Sequence, residues 1–124
     1  MAEQQVLALL TKFRTSGGGV GASINTFGMR QYTVAFYLTV GTGATPASCT
    51  VKIQFSSQKG TDGTIQWIDL SAQVAMFTVS LATGTAFNYA FVNTPLVKLR
   101  ANVTAYVQAT NGDDFLNVDL VAQR

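Results

Sequence analysis

Alternation of apolar and polar positions runs through most of the chain after residue 30. Tyr32, Val34, Phe36, Leu38 and Val40 alternate with Thr33, Ala35, Tyr37 and Thr39, the period-two pattern of a half-buried strand. Cys49, Val51, Ile53 and Phe55 repeat it against Thr50, Lys52 and Gln54. The spacing predicts a short strand over 65–70 carrying Trp67, and an extended segment over 74–81 with Phe77, Val79 and Leu81 on one face. Phe87, Tyr89 and Phe91 alternate next. The longest alternation sets Val97, Leu99, Ala101, Val103, Ala105 and Val107 on one face. Lys98, Arg100, Asn102, Thr104, Tyr106 and Gln108 take the other, and Leu116, Val118 and Leu120 form the last strand. Turn residues separate the runs at 41–46, at 59–64 with an Asp62-Gly63 step, at Asn93-Thr94-Pro95 and at 111–114. No long amphipathic helix interrupts them. The pattern predicts an all-β fold, an antiparallel β-sandwich or jelly roll of about seven to eight strands.

The first thirty residues read differently. The apolar run Val6-Leu7-Ala8-Leu9-Leu10 does not alternate, and residues 1–14 suit a short helix or an irregular arm. Residues 15–23, with Gly17-Gly18-Gly19 and Gly21, suit a flexible linker. The chain thus divides into an extended N-terminal arm with a glycine-rich linker, residues 1–30, and a β-sandwich domain, residues 31–124. In the arm, Val6, Leu7, Leu9, Leu10 and Phe13 would supply apolar anchors on a neighbouring subunit. Lys12, Arg14 and Arg30 would supply basic ones. The apolar run is too short for a signal peptide or a membrane span, so a soluble chain made in the cytosol is expected.

Composition narrows the chemistry. The 124 residues are 48% apolar but only 11% charged, against about 25% in ordinary soluble domains. There is no histidine, so no Ser-His-Asp triad and no imidazole metal ligand. Cys49 is the single cysteine, which excludes an internal disulfide and a cysteine-rich zinc site. Asp113-Asp114, Asp119 and Asp62 are candidates for calcium, but adjacent aspartates in a turn point apart and suit a solvated hairpin tip. The glycines at 17–21 lack the Lys-Ser/Thr pair of a phosphate-binding loop. No catalytic, cofactor-binding or metal-binding residue is assigned, and no enzyme is expected. Trp67 is expected to fill the core between sheets, with a sugar-stacking platform of Trp67, Tyr89 or Tyr106 as the alternative. Lys98, Arg100 and Tyr106 share an outward face. Two cations and a net charge of +2 fit a solvent or subunit face better than a nucleic-acid footprint. Such low charge suits a chain whose faces are covered by other protein.

Two segments carry a resemblance. Residues 56–70, Ser-Ser-Gln-Lys-Gly-Thr-Asp-Gly-Thr-Ile-Gln-Trp-Ile-Asp-Leu, resemble the Ser…Asp-Gly-Thr-x-Trp-x-x-Leu segment of small β-sandwich structural proteins of tailed bacteriophages. Residues 94–106, Thr-Pro-Leu-Val-Lys-Leu-Arg-Ala-Asn-Val-Thr-Ala-Tyr, are similar to the proline-led strand that follows in those proteins. The likeness spans residues 32–124. It departs where Ile65 and Gln66 both precede Trp67 and the pattern has one residue, which places a bulge or register change there. The resemblance implies a non-enzymatic virion protein, most simply a capsid decoration or cement protein on the major capsid protein. The low charge fits a homo-oligomer as well, with a trimer as the guess. A tail, fibre or head–tail adaptor component is the alternative, and a carbohydrate-binding module a more distant one. No cofactor, nucleic acid or membrane is expected as a partner.

Overall fold

The computed structural model describes residues 4–26, 31–41, 47–70, 76–81, 83–92, 98–110 and 112–123. Arg30, residues 42–46 of the predicted turn at 41–46 and the Asn93-Thr94-Pro95 corner lie outside them. The described residues form strands and connections, without a helix. The strands are β1 (Gln4–Phe13), β2 (Gly19–Val20), β3 (Ile24–Asn25), β4 (Gln31–Val40), β5 (Ala47–Ser56), β6 (Ile68–Asp69), β7 (Met76–Leu81), β8 (Gly84–Val92), β9 (Lys98–Val107) and β10 (Phe115–Gln123). Every pairing is antiparallel. One sheet has four strands in the order β1-β10-β4-β8. In the other, β9 and β5 form the centre, with β2 and β3 on the outer side of β9 and β6 and β7 on the outer side of β5.

The two sheets close on an apolar core, as an all-β sandwich must to hide one face of each. Tyr32, Val34, Phe36, Leu38 and Val40 of β4 face Cys49, Val51 and Ile53 of β5, with Leu99, Ala101 and Val103 of β9 and Leu116, Val118 and Leu120 of β10. Phe36 stacks on Phe77 with ring centroids 5.6 Å apart. Each fully buried aliphatic or aromatic side chain here contributes about 1.5–3 kcal/mol. Cys49 lies among them, and burial pushes its thiol up to about 11. It stays protonated and unreactive at neutral pH.

The N-terminal segment departs from the expected arm. Residues 4–13 are a strand of the sandwich itself, paired along β10 from Gln4↔Gln123 to Phe13↔Leu116. The missing alternation has a physical cause. The register slips by one residue between Ala8 and Leu10 and again between Leu10 and Phe13. The first bulge turns both Leu9 and Leu10 into the core. At the second, Lys12 takes a left-handed φ of 48° and donates its amide to Asn117 Oδ1 at 2.8 Å. Leu9 and Leu10 are therefore spent on this chain's own core, and the arm–sandwich boundary at residue 30 dissolves.

The glycine-rich stretch is also built in. Gly17 donates its amide to Tyr106 O (3.0 Å) and Gly21 to Ala101 O (2.9 Å), so the segment straps the edge of β9. Gly18 sits at φ +116°, and a Cβ there would collide with the Val103 carbonyl oxygen. Only glycine lets the strap lie this close. The expected linker gives way to a fitted element.

Gly18→Ala is therefore expected to cost at least about 2 kcal/mol, from strained backbone and a forced displacement of β9. Gly17 has φ +87° but open space around it. Gly17→Ala should cost about 1 kcal/mol, the conformational term alone. Urea unfolding of both variants checks the difference; equal costs would remove the close-contact explanation.

Candidate interaction surfaces

Three groups of side chains stand out from the core. The first lies on the outer face of the four-stranded sheet. Neither β4 nor β8 contains a charged residue. Their register sets Tyr37 opposite Phe87 and Ala35 opposite Tyr89. The rings of Tyr37 and Phe87 are 5.0 Å apart, and those of Phe87 and Tyr89 are 6.2 Å apart. Phe87 is 55% exposed and Tyr89 64%. The next strand, β10, places Asn117 and Asp119 beside Tyr37 and Ala35. Exposed aromatic side chains in a row, with Asp119 as the neighbouring charge, form a surface suited to contact with protein.

The second group lies on the outer face of the other sheet and holds much of the charge. Lys52 donates to Asp69 Oδ2 at 2.7 Å and Gln54 to Asp69 Oδ1 at 2.8 Å. These hydrogen bonds hold the Asp69 carboxyl below its usual range. Arg100 donates through Nε to Gln54 Oε1 (2.9 Å) and lays its guanidinium over Trp67, 4.2 Å from the ring centroid. Asp62 accepts from Ser23 Oγ at 2.6 Å and lies 3.6 Å from Lys98 Nζ; the bonds from Ser23, with Lys98 adding, lower its carboxyl. Lys98 also donates to the Gly60 carbonyl. These contacts pin the 57–67 loop onto β9. The exposed pairs add little stability individually.

Trp67 is thus not in the core. It sits half-buried after the Asp62-Gly63 turn, outside the sheet, and its indole N–H donates to Asp62 O at 3.1 Å. The predicted strand over 65–70 shrinks to Ile68–Asp69, so Ile65 and Gln66 lengthen a loop and make no bulge in a ladder.

The third group joins the two sheets at one corner, and no periodicity announces it. In β9 the pairing to β5 slips, with Thr50 opposite Ala105 and Val51 opposite Val103. The extra residue, Thr104, reverses every face after it. Tyr106 turns inward, and Val107 outward to 57% exposure, the opposite of the alternation read from sequence. Inside, Tyr106 OH donates to Asp114 Oδ2 at 2.6 Å. Arg14 Nη2 meets Asp114 Oδ1 at 3.1 Å, and Arg14 Nε donates to Asp114 O at 3.2 Å. Phe13 packs edge-on against Tyr106, with centroids 5.7 Å apart. Asp114 is 1% exposed. Burial pushes its carboxyl up, but the Tyr106 and Arg14 hydrogen bonds outweigh it and hold the group below the usual range. Burial and the same contact push the Tyr106 phenol far up.

Of the residues expected to bind a partner, Leu9, Leu10, Phe13 and Arg14 serve this chain's own core and corner, and Leu7 packs partly against the core. Val6 is 67% exposed and Lys12 exposed, both on the sheet edge. Among the described residues no three acids or cysteines gather as a metal site. Asp113 is exposed while Asp114 is buried and engaged. Tyr106 and Trp67 lie apart from Tyr89, so no single stacking platform unites those three. The row of Tyr37, Phe87 and Tyr89 escaped sequence reading, although the absence of charge from β4 and β8 could have marked it.

Asp114→Asn should lower stability by about 1–3 kcal/mol at neutral pH, because Arg14 and Tyr106 lose a charged acceptor. The folded carboxyl titrates below the unfolded value of about 3.9. Its contribution is full above that value and disappears as pH falls through the folded one. The stability gap between wild type and Asp114→Asn should therefore narrow as pH falls below about 4; a gap that stays constant or widens with acidification contradicts the assignment. Arg100→Ala should uncover one face of Trp67, red-shift its emission and raise acrylamide quenching. Unchanged quenching would mean that the guanidinium does not cover the ring in solution.

No family model matches the chain, and no curated protein matches it. Among solved structures, the chain is similar to the SPBc2 prophage-derived protein YomS, with a TM-score of 0.59 and 12% identity, over 100% of this chain and 96% of that one. It also aligns with the CBM22-1 xylan-binding domain from Paenibacillus barcinonensis Xyn10C, with a TM-score of 0.42 and 12% identity, over 99% of this chain and 80% of that one. The first likeness shows a shared fold along the whole length of the chain, an all-β antiparallel sandwich.

Proposed function

We propose that this chain is a non-enzymatic structural protein of a phage particle, a capsid decoration or cement protein that binds the major capsid protein and stabilises the shell. The observation that carries this reading is the outer face of β4 and β8. Two long strands without charge present Phe87 and Tyr89, and the half-buried Tyr37 beside them, to water. Aromatic residues with few charges are what the buried centre of a protein interface is made of. Two further features support a phage source: the motif at residues 56–70 and a fold shared with a prophage-derived protein. In this reading the protein is made in the host cytoplasm and ends in the virion.

The aromatic row also favours a second reading, a carbohydrate-binding face. It fits less well. The rings are inclined to one another by 39° and 29°, so they offer no common plane for a sugar chain. The polar side chains that would read hydroxyl groups, such as Gln54, Asp69 and Arg100, lie on the other sheet.

Co-sedimentation of the purified chain with capsids that lack it tests the proposal. Binding should saturate in fixed proportion to the major capsid protein. Tyr37→Ser should weaken it about tenfold or more, the effect of losing a central aromatic anchor. A chain that leaves the shell bare but is recovered at low copy with tails or connectors belongs to the tail or adaptor alternative. Retention on polysaccharide gels, abolished by Tyr37→Ser, would favour the carbohydrate reading.

A further inference from the structure

We infer that the free edge of β8 is a self-pairing site: two copies of this chain join β8 to β8, antiparallel, about a two-fold axis through Asn88. The inference goes beyond the virion proposal and does not depend on it. Four observations carry it.

β8 ends its sheet, and among the described residues no strand pairs with its outer side. An edge strand is a row of unsatisfied backbone groups, and proteins usually blunt it with bulges, charges or proline. The opposite edge of the same sheet is blunted: β1 carries two bulges and Lys12 in a left-handed conformation. β8 is not. It runs from Gly84↔Val40 to Val92↔Tyr32 along β4 without a slip, and it contains no charged residue and no proline.

The backbone groups on that side are identifiable. The Tyr89 amide donates to the Asn88 side-chain oxygen, Oδ1, at 2.8 Å, so it points away from β4, and pairing exchanges this local bond for one to the Phe87 carbonyl of the second copy. By antiparallel alternation, Phe87 and Tyr89 direct their backbone outward, and Asn88 directs its own toward β4. The strand is also its own complement. Residues 86–90 read Ala-Phe-Asn-Tyr-Ala, nearly the same in both directions. A two-fold at Asn88 sets Phe87 opposite Tyr89 of the second copy, on one face, and Ala86 opposite Ala90. Cross-strand aromatic pairs of this kind stabilise antiparallel ladders. A two-fold also brings like against like, so an uncharged strand is the kind that can meet itself without repulsion.

Pairing occurs in the plane of the sheet. It leaves the outer face free and doubles the aromatic row into one wide surface. It also replaces the three-fold assembly guessed from the low charge with a two-fold one.

Sedimentation equilibrium of the full chain tests the site. The wild type should sediment at twice the 13.2 kDa chain mass. Phe87→Lys with Tyr89→Lys, which sets lysine against lysine across the axis, should return it to the single mass with an unchanged far-UV spectrum. Val6→Lys, at the equally exposed but blunted edge, should leave the doubled mass intact. Because those lysines could disturb folding, Asn88→Cys provides an independent measure. Two copies of residue 88 face each other at a non-hydrogen-bonded position, so mild oxidation should link the chains, while Cys49 stays buried. A single mass at all concentrations, a trimer, a doubled mass that survives both lysines, or cross-linking through Val6→Cys but not Asn88→Cys would each overturn the inference.

Discussion

The hydrogen bond from Tyr106 to Asp114 fixes where the chain leaves one sheet and enters the other. β9 belongs to one layer and β10 to the other, and the crossing between them buries a carboxylate. An unpaired charge in that position would cost several kcal/mol. The cost is offset because Tyr106 and Arg14 converge on it from β9 and from the end of β1. Three elements far apart in sequence therefore share one constraint. The Phe13 ring packs on the outside of the same joint, and Gln108 donates to the Arg14 carbonyl. The corner gives the sandwich a defined alignment of its layers, which greasy side chains alone specify poorly.

Much of the fold was legible because period two is a strong signal wherever a ladder runs without interruption. β4 and β10 have the inward faces that alternation assigns, and so does most of β5. What the sequence hid has one recurring cause. A bulge adds a single residue, and a single residue exchanges inside for outside. It happened in β1, where Leu9 and Leu10 both turn inward, and in β9 beyond Thr104. Alternation alone consequently sets Tyr106 on an outer stripe with Arg100 and hides the buried cluster it builds with Asp114. The glycines at 17–21 misled in another way. Glycine marks flexibility and close approach with the same letter, and only the carbonyls of β9 distinguish them. Trp67 was misplaced because a lone tryptophan near a turn is compatible with either side of a sheet; Arg100 decides it from 33 positions away.

The scarcity of charge acquires a geography. Lys52, Asp69, Arg100, Asp62 and Lys98 gather outside one sheet, where they hold a loop in place. The opposite sheet is left with β4 and β8 bare of charge. A global composition of 11% charged residues thus resolves into one solvated side and one side that resembles an interface centre. Such two-sidedness would orient the molecule on whatever it binds.

The pairing of β1 with β10 has a consequence for biosynthesis. β1 is made more than a hundred residues before its partner β10, from Gln4↔Gln123 onward. Until β10 has emerged, β4 also lacks its neighbour, and Leu9 and Leu10 have no completed core to enter. The sandwich closes only through contacts between strands far apart in sequence, and such non-local topologies fold slowly. During that interval the apolar strands stand open at high local concentration on polysomes, so production of this protein should be sensitive to chaperone supply and to temperature in a way that its finished stability would not reveal.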